Sequence, residues 1–149
     1  DRSWRIHTKS EELPSVKIGS KAHLSQGLIS NGSIVAGTVK RSVLSPGVIV
    51  HPGATVTNSV LLNDVEVLPG AVIDHAIIDK NVVIDHNVLI GHGDDYRANL
   101  ERPDLLSSGI NVIAKGVKIP ENTVIPRNCR IFSTATFEEK TLESGTTLK

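Results

Sequence analysis

Few side chains in this sequence offer chemistry. His75, His86 and His92 could serve as general bases or metal ligands, and the acids Asp94 and Asp95 follow His92 closely. His75 and His92 are 17 residues apart. In a chain that repeats with that period they would stack on adjacent rungs, about 4.8 Å apart. His86 occupies the matching slot on another face. A metal cluster would require the segment after His92 to fold back, and plain solvent-facing corner residues account for the same three histidines. Cys129 is the single cysteine and falls in a column of small residues, where packing rather than nucleophilic attack is expected. There is no glycine motif to cradle a phosphate and no serine nucleophile elbow. Arg2, Arg5, His7 and Lys9 form either a solvated charged segment or a basic lip that takes phosphates by charge-assisted hydrogen bonds. Neither a catalytic constellation nor a metal site is expected within the chain.

The elements that must carry these residues are legible from Leu44 to His92. The aliphatic positions Leu44, Val50, Val56, Leu61, Val67, Ile73, Ile78, Ile84 and Ile90 are spaced six, six and five residues apart, cycle after cycle. Val48, Ala54, Val65, Ala71, Val82 and Val88 each follow one of them by four places. This hexapeptide-type period predicts an all-β parallel β-helix with three short strands per triangular coil. One coil cannot bury its own apolar face, but stacked coils cover each other. Pro46-Gly47, Pro52-Gly53, Asn63-Asp64, Pro69-Gly70 and Lys80-Asn81 supply the turns. Each buried aliphatic is worth about 1.5–3 kcal/mol on transfer. A charge at Ile73 or Ile84 is therefore expected to be ruinous, and one at Asn58 tolerable.

Three stretches depart from the period. Residues 1–17 are expected to hold an opening strand around Trp4–His7 and a linker ending near Pro14. The helix then runs over 18–131, beginning at Ile18, Leu24, Ile29 and Val35, with Val39 only four places after Val35. That coil is two residues short, and Gly37 would ease the tightened corner. The period lapses at about 94–109, a charged stretch read as an excursion loop. It resumes at Ile113, Ile119, Ile125 and Ile131, and residues 132–149 are an edge strand, a cap or a disordered tail.

Composition sets the outer bounds. Lysine plus arginine and aspartate plus glutamate both total 16 in 149 residues, so no global charge points to nucleic acid or a membrane surface. Aromatic content is 3%, as suits a narrow interior of Ile, Val, Leu and Ala. No apolar run approaches the ~20 residues of a membrane span. One cysteine and no secretory signal give the expectation of a cytoplasmic setting. No methionine occurs, even at position 1, so an upstream domain is expected in a longer polypeptide. The open ends of a β-helix also call for partners.

Certain words of the sequence are more specific than its period. Trp4-Arg5-Ile6-His7-Thr8-Lys9-Ser10-Glu11-Glu12, Ser42-Val43-Leu44-Ser45-Pro46-Gly47-Val48 and Ile77-Ile78-Asp79-Lys80-Asn81-Val82-Val83-Ile84 resemble the C-terminal domain of ADP-glucose pyrophosphorylases (glucose-1-phosphate adenylyltransferases). The resemblance covers nearly the whole chain except its last dozen or so residues. It implies a left-handed β-helix, although right-handed crossovers are the general rule. It also implies a missing N-terminal nucleotidyltransferase domain that makes ADP-glucose and pyrophosphate from ATP and glucose 1-phosphate with Mg2+, in glycogen or starch synthesis. The β-helix domain would then support a tetramer and bind phosphorylated glycolytic intermediates as allosteric effectors. Two family lysines map onto Lys80, in Ile-Ile-Asp-Lys-Asn, and Lys115, in Gly109-Ile110-Asn111-Val112-Ile113-Ala114-Lys115. Arg97 in the excursion loop is a third candidate effector contact. No cofactor is expected in this part of the protein. The competing readings are a hexapeptide-repeat acyltransferase, trimeric and using acyl-CoA with one of the three histidines as base, and a purely structural assembly module.

Overall fold

A computed structural model of the chain describes residues 12–149. The described residues form nineteen short strands and no helix, arranged as a parallel β-helix of three sheets. Sheet A stacks Lys17–Ile18, Ile34–Val35, Ile49–Val50, Glu66–Val67, Val83–Ile84 and Lys118–Ile119. Sheet B stacks His23–Ser25, Thr38–Lys40, Thr55–Thr57, Val72–Asp74, Leu89–Ile90 and Val124–Ile125. Sheet C stacks Leu28–Ile29, Val43–Leu44, Val60–Leu61, Ala76–Ile78, Asn111–Ile113, Arg130–Ile131 and Thr147–Leu148. The chain visits A, B and C in turn, then starts again one rung higher. The expected strand around Trp4–His7 and the basic cluster at Arg2–Lys9 lie outside the described residues.

The register is the one the aliphatic period predicts. Leu44 pairs with Leu61 and Leu61 with Ile78 on one sheet, while Val67 pairs with Ile84 and Ile73 with Ile90 on the others. These side chains and the small residues four places on are all buried. In the regular coils each C-to-A and A-to-B turn carries one residue in the left-handed region, and the chain supplies types that tolerate it: Gly47, Asp64 and Asn81 in the C-to-A corner, Gly53, Gly70 and Asn87 in the A-to-B corner. The short coil is also real. Val35 pairs with Val50 and Val39 with Val56, so four residues here do the work of six. Gly37 sits in that corner, where a β-carbon would collide with the carbonyl oxygens of His51 and Ala54 on the next coil.

The corners between sheets B and C, five residues long in the regular coils and six at Ile125 to Ile131, leave backbone groups that side chains of the neighbouring coil satisfy. The Ser59 N–H donates to Ser42 Oγ at 3.2 Å, Ala76 N–H to Ser59 Oγ at 3.1 Å, and Cys129 N–H to Asn111 Oδ1 at 2.8 Å. This polar ladder runs up the inside of one edge, beside the aliphatic core.

The tail adds to the solenoid. Thr147–Leu148 extends sheet C by pairing with Arg130–Ile131, and Thr141 bridges to Val124 on sheet B. Leu142 is thereby buried over the last rungs.

Candidate functional site

The two lysines arrive at one place. Ile78 pairs with Ile113, and each lysine follows its isoleucine by two residues, so Lys80 and Lys115 occupy matching positions on adjacent coils. The Gly116 N–H donates to the Lys80 carbonyl at 2.9 Å, closing that register directly. Backbones of neighbouring strands are about 4.8 Å apart. The Asp79 carboxylate accepts the Lys80 N–H at 2.7 Å and shapes the turn. Both lysine side chains are exposed, and neither forms an ion pair with an acid among the described residues. Two unpaired ammonium groups on one edge repel each other, and a dianion bridging them relieves that repulsion. Lysine serves here as a mobile point charge without the fixed fork of arginine.

Arg97 is not part of this corner. The excursion leaves at the B-to-C corner, whereas the lysines are on the C-to-A corner, across the full width of sheet C. The Arg97 N–H donates to Asp95 Oδ1 at 3.0 Å, and its guanidinium stays 4.0 Å from the same carboxylate.

The histidines do not converge either. Stacking His75 under His92 requires a coil that continues through His92, and this one does not. Gly91 takes a left-handed φ of 77° where a β-carbon would collide with the Asp74 carbonyl, and the chain turns outward there. Asn111, not a residue of the His92 segment, pairs above Ala76. His75 Nδ1 lies 2.8 Å from Asp74 Oδ2, and His86, on the A-to-B corner, lies 2.7 Å from Asp85 Oδ1. Among the described residues no three of His, Cys, Asp and Glu gather as a metal site. Cys129 is fully buried, and burial pushes its thiol up, as packing requires and nucleophilic use does not.

What sequence reasoning missed is the network at the base of the excursion. Arg127 is only 9% exposed. Its Nε donates to the Gly93 carbonyl at 2.8 Å, Nη2 reaches Asp74 Oδ2 at 3.3 Å, and the guanidinium lies 4.8 Å from the Tyr96 ring centroid. Asp74 also accepts from Thr57 Oγ1 at 2.9 Å and Asn58 Nδ2 at 2.7 Å. Burial pushes the Asp74 carboxyl up, but the hydrogen bonds from Asn58 and Thr57 and the imidazole of His75 beside it outweigh that and hold the group at about 2. Asn58 is therefore not the silent corner residue expected. It has a left-handed φ of 49° and accepts Arg41 Nε at 2.7 Å while holding Asp74. Asn128 and Asn99 finish the base: Asn128 Nδ2 donates to the Tyr96 and Arg97 carbonyls, and buried Asn99 Nδ2 donates to the Asn128 and Gly145 carbonyls.

The fold therefore defines a hexapeptide-repeat solenoid with a paired-lysine edge and a pinned excursion. The chain belongs to the family described as GlmU-like, C-terminal hexapeptide, which matches residues 11–113. It is 43% identical over 149 residues to a glucose-1-phosphate adenylyltransferase of Thermomicrobium roseum, with 88% of this chain and 31% of that protein covered. It is 39% identical over 148 residues to the enzyme of that name from Pseudothermotoga lettingae, with 97% and 35% covered. For Acetivibrio thermocellus the figures are 31% identity over 139 residues, 93% and 32%. The chain thus spans about a third of the length of these relatives, and the resemblance carried by the Lys80 segment is to the proteins that share their name.

Proposed function

We propose that this chain is the regulatory and assembly region of a glucose-1-phosphate adenylyltransferase, a left-handed β-helix whose lysine edge binds phosphorylated effectors. The complete protein would convert ATP and glucose 1-phosphate into ADP-glucose and pyrophosphate in the cytoplasm, as a tetramer. Magnesium belongs to its catalytic region, and no residue of this chain is assigned to hold it. The observation that carries the reading is the registration of Lys80 over Lys115 on adjacent coils. The two lysines are 35 residues apart with an excursion between them, yet they share one edge. The acyltransferase reading has less support, because His75 and His86 lie on different corners and each is held by its neighbouring aspartate.

The test is pyrophosphate release by the complete polypeptide, titrated with fructose 1,6-bisphosphate, fructose 6-phosphate and 3-phosphoglycerate. Lys80→Ala combined with Lys115→Ala should raise the effector concentration for half-maximal response about tenfold or more, since each lost charge-assisted contact is worth about 1.5–3 kcal/mol. An unchanged response would remove the lysines from the effector site. Absence of any adenylyl transfer would remove the enzyme assignment itself.

A further inference from the structure

A separate recess opens on the outer face of sheet C. Its floor is Ile77 and Val112, which point outward from adjacent strands, and its wall is the excursion, through Leu105, Leu106 and Ile110. Its volume is about 370 Å³, within the range of small-molecule sites. Sheet C is unusual among the three faces. Its outward positions run Leu28, Val43, Val60, Ile77 and Val112, aliphatic on five successive coils, before Arg130 ends the series. The matching outward positions of sheet A mix Lys17, Glu66 and Lys118 with Ile34, Ile49 and Val83, and those of sheet B run His23, Thr38 and Thr55 before Val72, Leu89 and Val124, so neither is aliphatic over five coils in succession.

The wall is held in place. Asn99 donates its N–H to the Leu106 carbonyl at 2.8 Å, and its Oδ1 accepts the Arg102 N–H at 2.9 Å and the Glu101 N–H at 3.1 Å. Leu106 is buried beneath, while Leu105 stands exposed at the lip. Two guanidinium groups border the recess. Arg102 is neutralised by Asp104, through Nε to Oδ1 at 3.0 Å and Nη2 to Oδ2 at 2.9 Å. Arg130 has no such partner among the described residues. It lies over the Phe132 ring at 4.3 Å, a cation–π contact that holds it against the sheet. A second crevice shares Ile77, Val112 and Arg130 and continues over Leu62 and Ala114, with Asp79 also in its lining, so the apolar end of an extended ligand has room to lie along the sheet while its anionic end stays at Arg130.

An uncompensated guanidinium beside an aliphatic floor complements an anion with an apolar body. We propose that this recess binds a small carboxylate bearing a medium-length aliphatic chain, with its carboxylate on Arg130 and its chain on Ile77, Val112 and Leu105. The proposal does not rest on the effector reading of the lysines. Octanoate is the probe, with octanol (no charge) and propionate (no chain) as comparators, titrated calorimetrically into the complete polypeptide. Octanoate should bind saturably, and both comparators about tenfold more weakly or worse. Arg130→Gln and Leu105→Asp, both on solvent-accessible side chains, should each weaken octanoate about tenfold, with unchanged circular dichroism. Lys80→Ala with Lys115→Ala should leave it bound. No saturable binding, octanol equal to octanoate, both variants binding like the parent, or loss of binding with the lysines alone would each overturn the proposal.

Discussion

Asp74 is the acid on which the B-to-C corner converges. It faces His75, Asn58, Thr57 and Arg127 at once. Its carboxyl is held at about 2 against an ordinary 3.8. A depressed acid stabilises the fold above its unfolded value, and that contribution is lost as pH falls through the folded one. A tenfold change in proton affinity is worth about 1.4 kcal/mol. Asp74→Asn should therefore cost about 1–2 kcal/mol in urea unfolding at pH 7, and the gap from the parent should close between pH 4 and pH 2. A gap that persists at pH 2 would mean that packing, not the charge, sets the cost. The residues of this corner were hidden in the sequence for a physical reason. Arg127 falls in a corner that spends six residues, Ile125 to Ile131, where the regular coils below spend five, so the period does not say which way it points; its partners Gly93 and Tyr96 lie in the stretch where the period lapses. The two lysines, by contrast, are named by the resemblance of their segments; that they share an edge follows from the structure, where each stands two places after one of the paired isoleucines Ile78 and Ile113.

At the scale of elements, excursion and tail behave as one unit. Asn99 ties the excursion to Gly145, and Thr147 Oγ1 donates to Asn99 Oδ1 at 3.2 Å. Leu100 N–H donates to the Gly145 carbonyl at 2.9 Å. Asn99→Ala should raise amide hydrogen exchange in residues 94–109 and 141–148 together, because buried partners left unsatisfied cost about 1–3 kcal/mol each. Faster exchange confined to the excursion would show the two to be independent. The excursion was visible as a lapse in period. For the tail, an edge strand is one of three readings the sequence leaves open, because Leu142 and Leu148 are a single six-residue step among threonines and glutamates, and one step does not make a period. The short coil makes a second case at this scale. Gly37→Ala should cost about 1–3 kcal/mol in thermal or urea unfolding, since the carbonyls of His51 and Ala54 already fill the space of a β-carbon. A neutral Gly37→Ala would mean that this corner relaxes freely.

For the whole molecule, the aliphatic column decides stability by position along the axis. In a stack that is nearly one-dimensional, a rung is stabilised by the rungs above and below it. Ile84 has both, through Val67 and Ile119, and is fully buried. Among the described residues Leu24 has only Val39, on one side, and it is 43% exposed. The side chains play the same inward role in sequence, and the period cannot tell them apart. Truncating a buried aliphatic loses its transfer free energy and leaves a cavity, together about 2–5 kcal/mol. Where solvent already reaches the rung, the cavity contribution disappears and part of the transfer contribution was never gained. Ile84→Ala should accordingly lower the urea midpoint by several times the shift caused by Leu24→Ala. Equal shifts would require a cover over the first coil, supplied by residues before Glu12 or by another part of the complete protein. Solvent accessibility of a cysteine placed at Leu24 would then separate a covered first coil from an evenly soft solenoid.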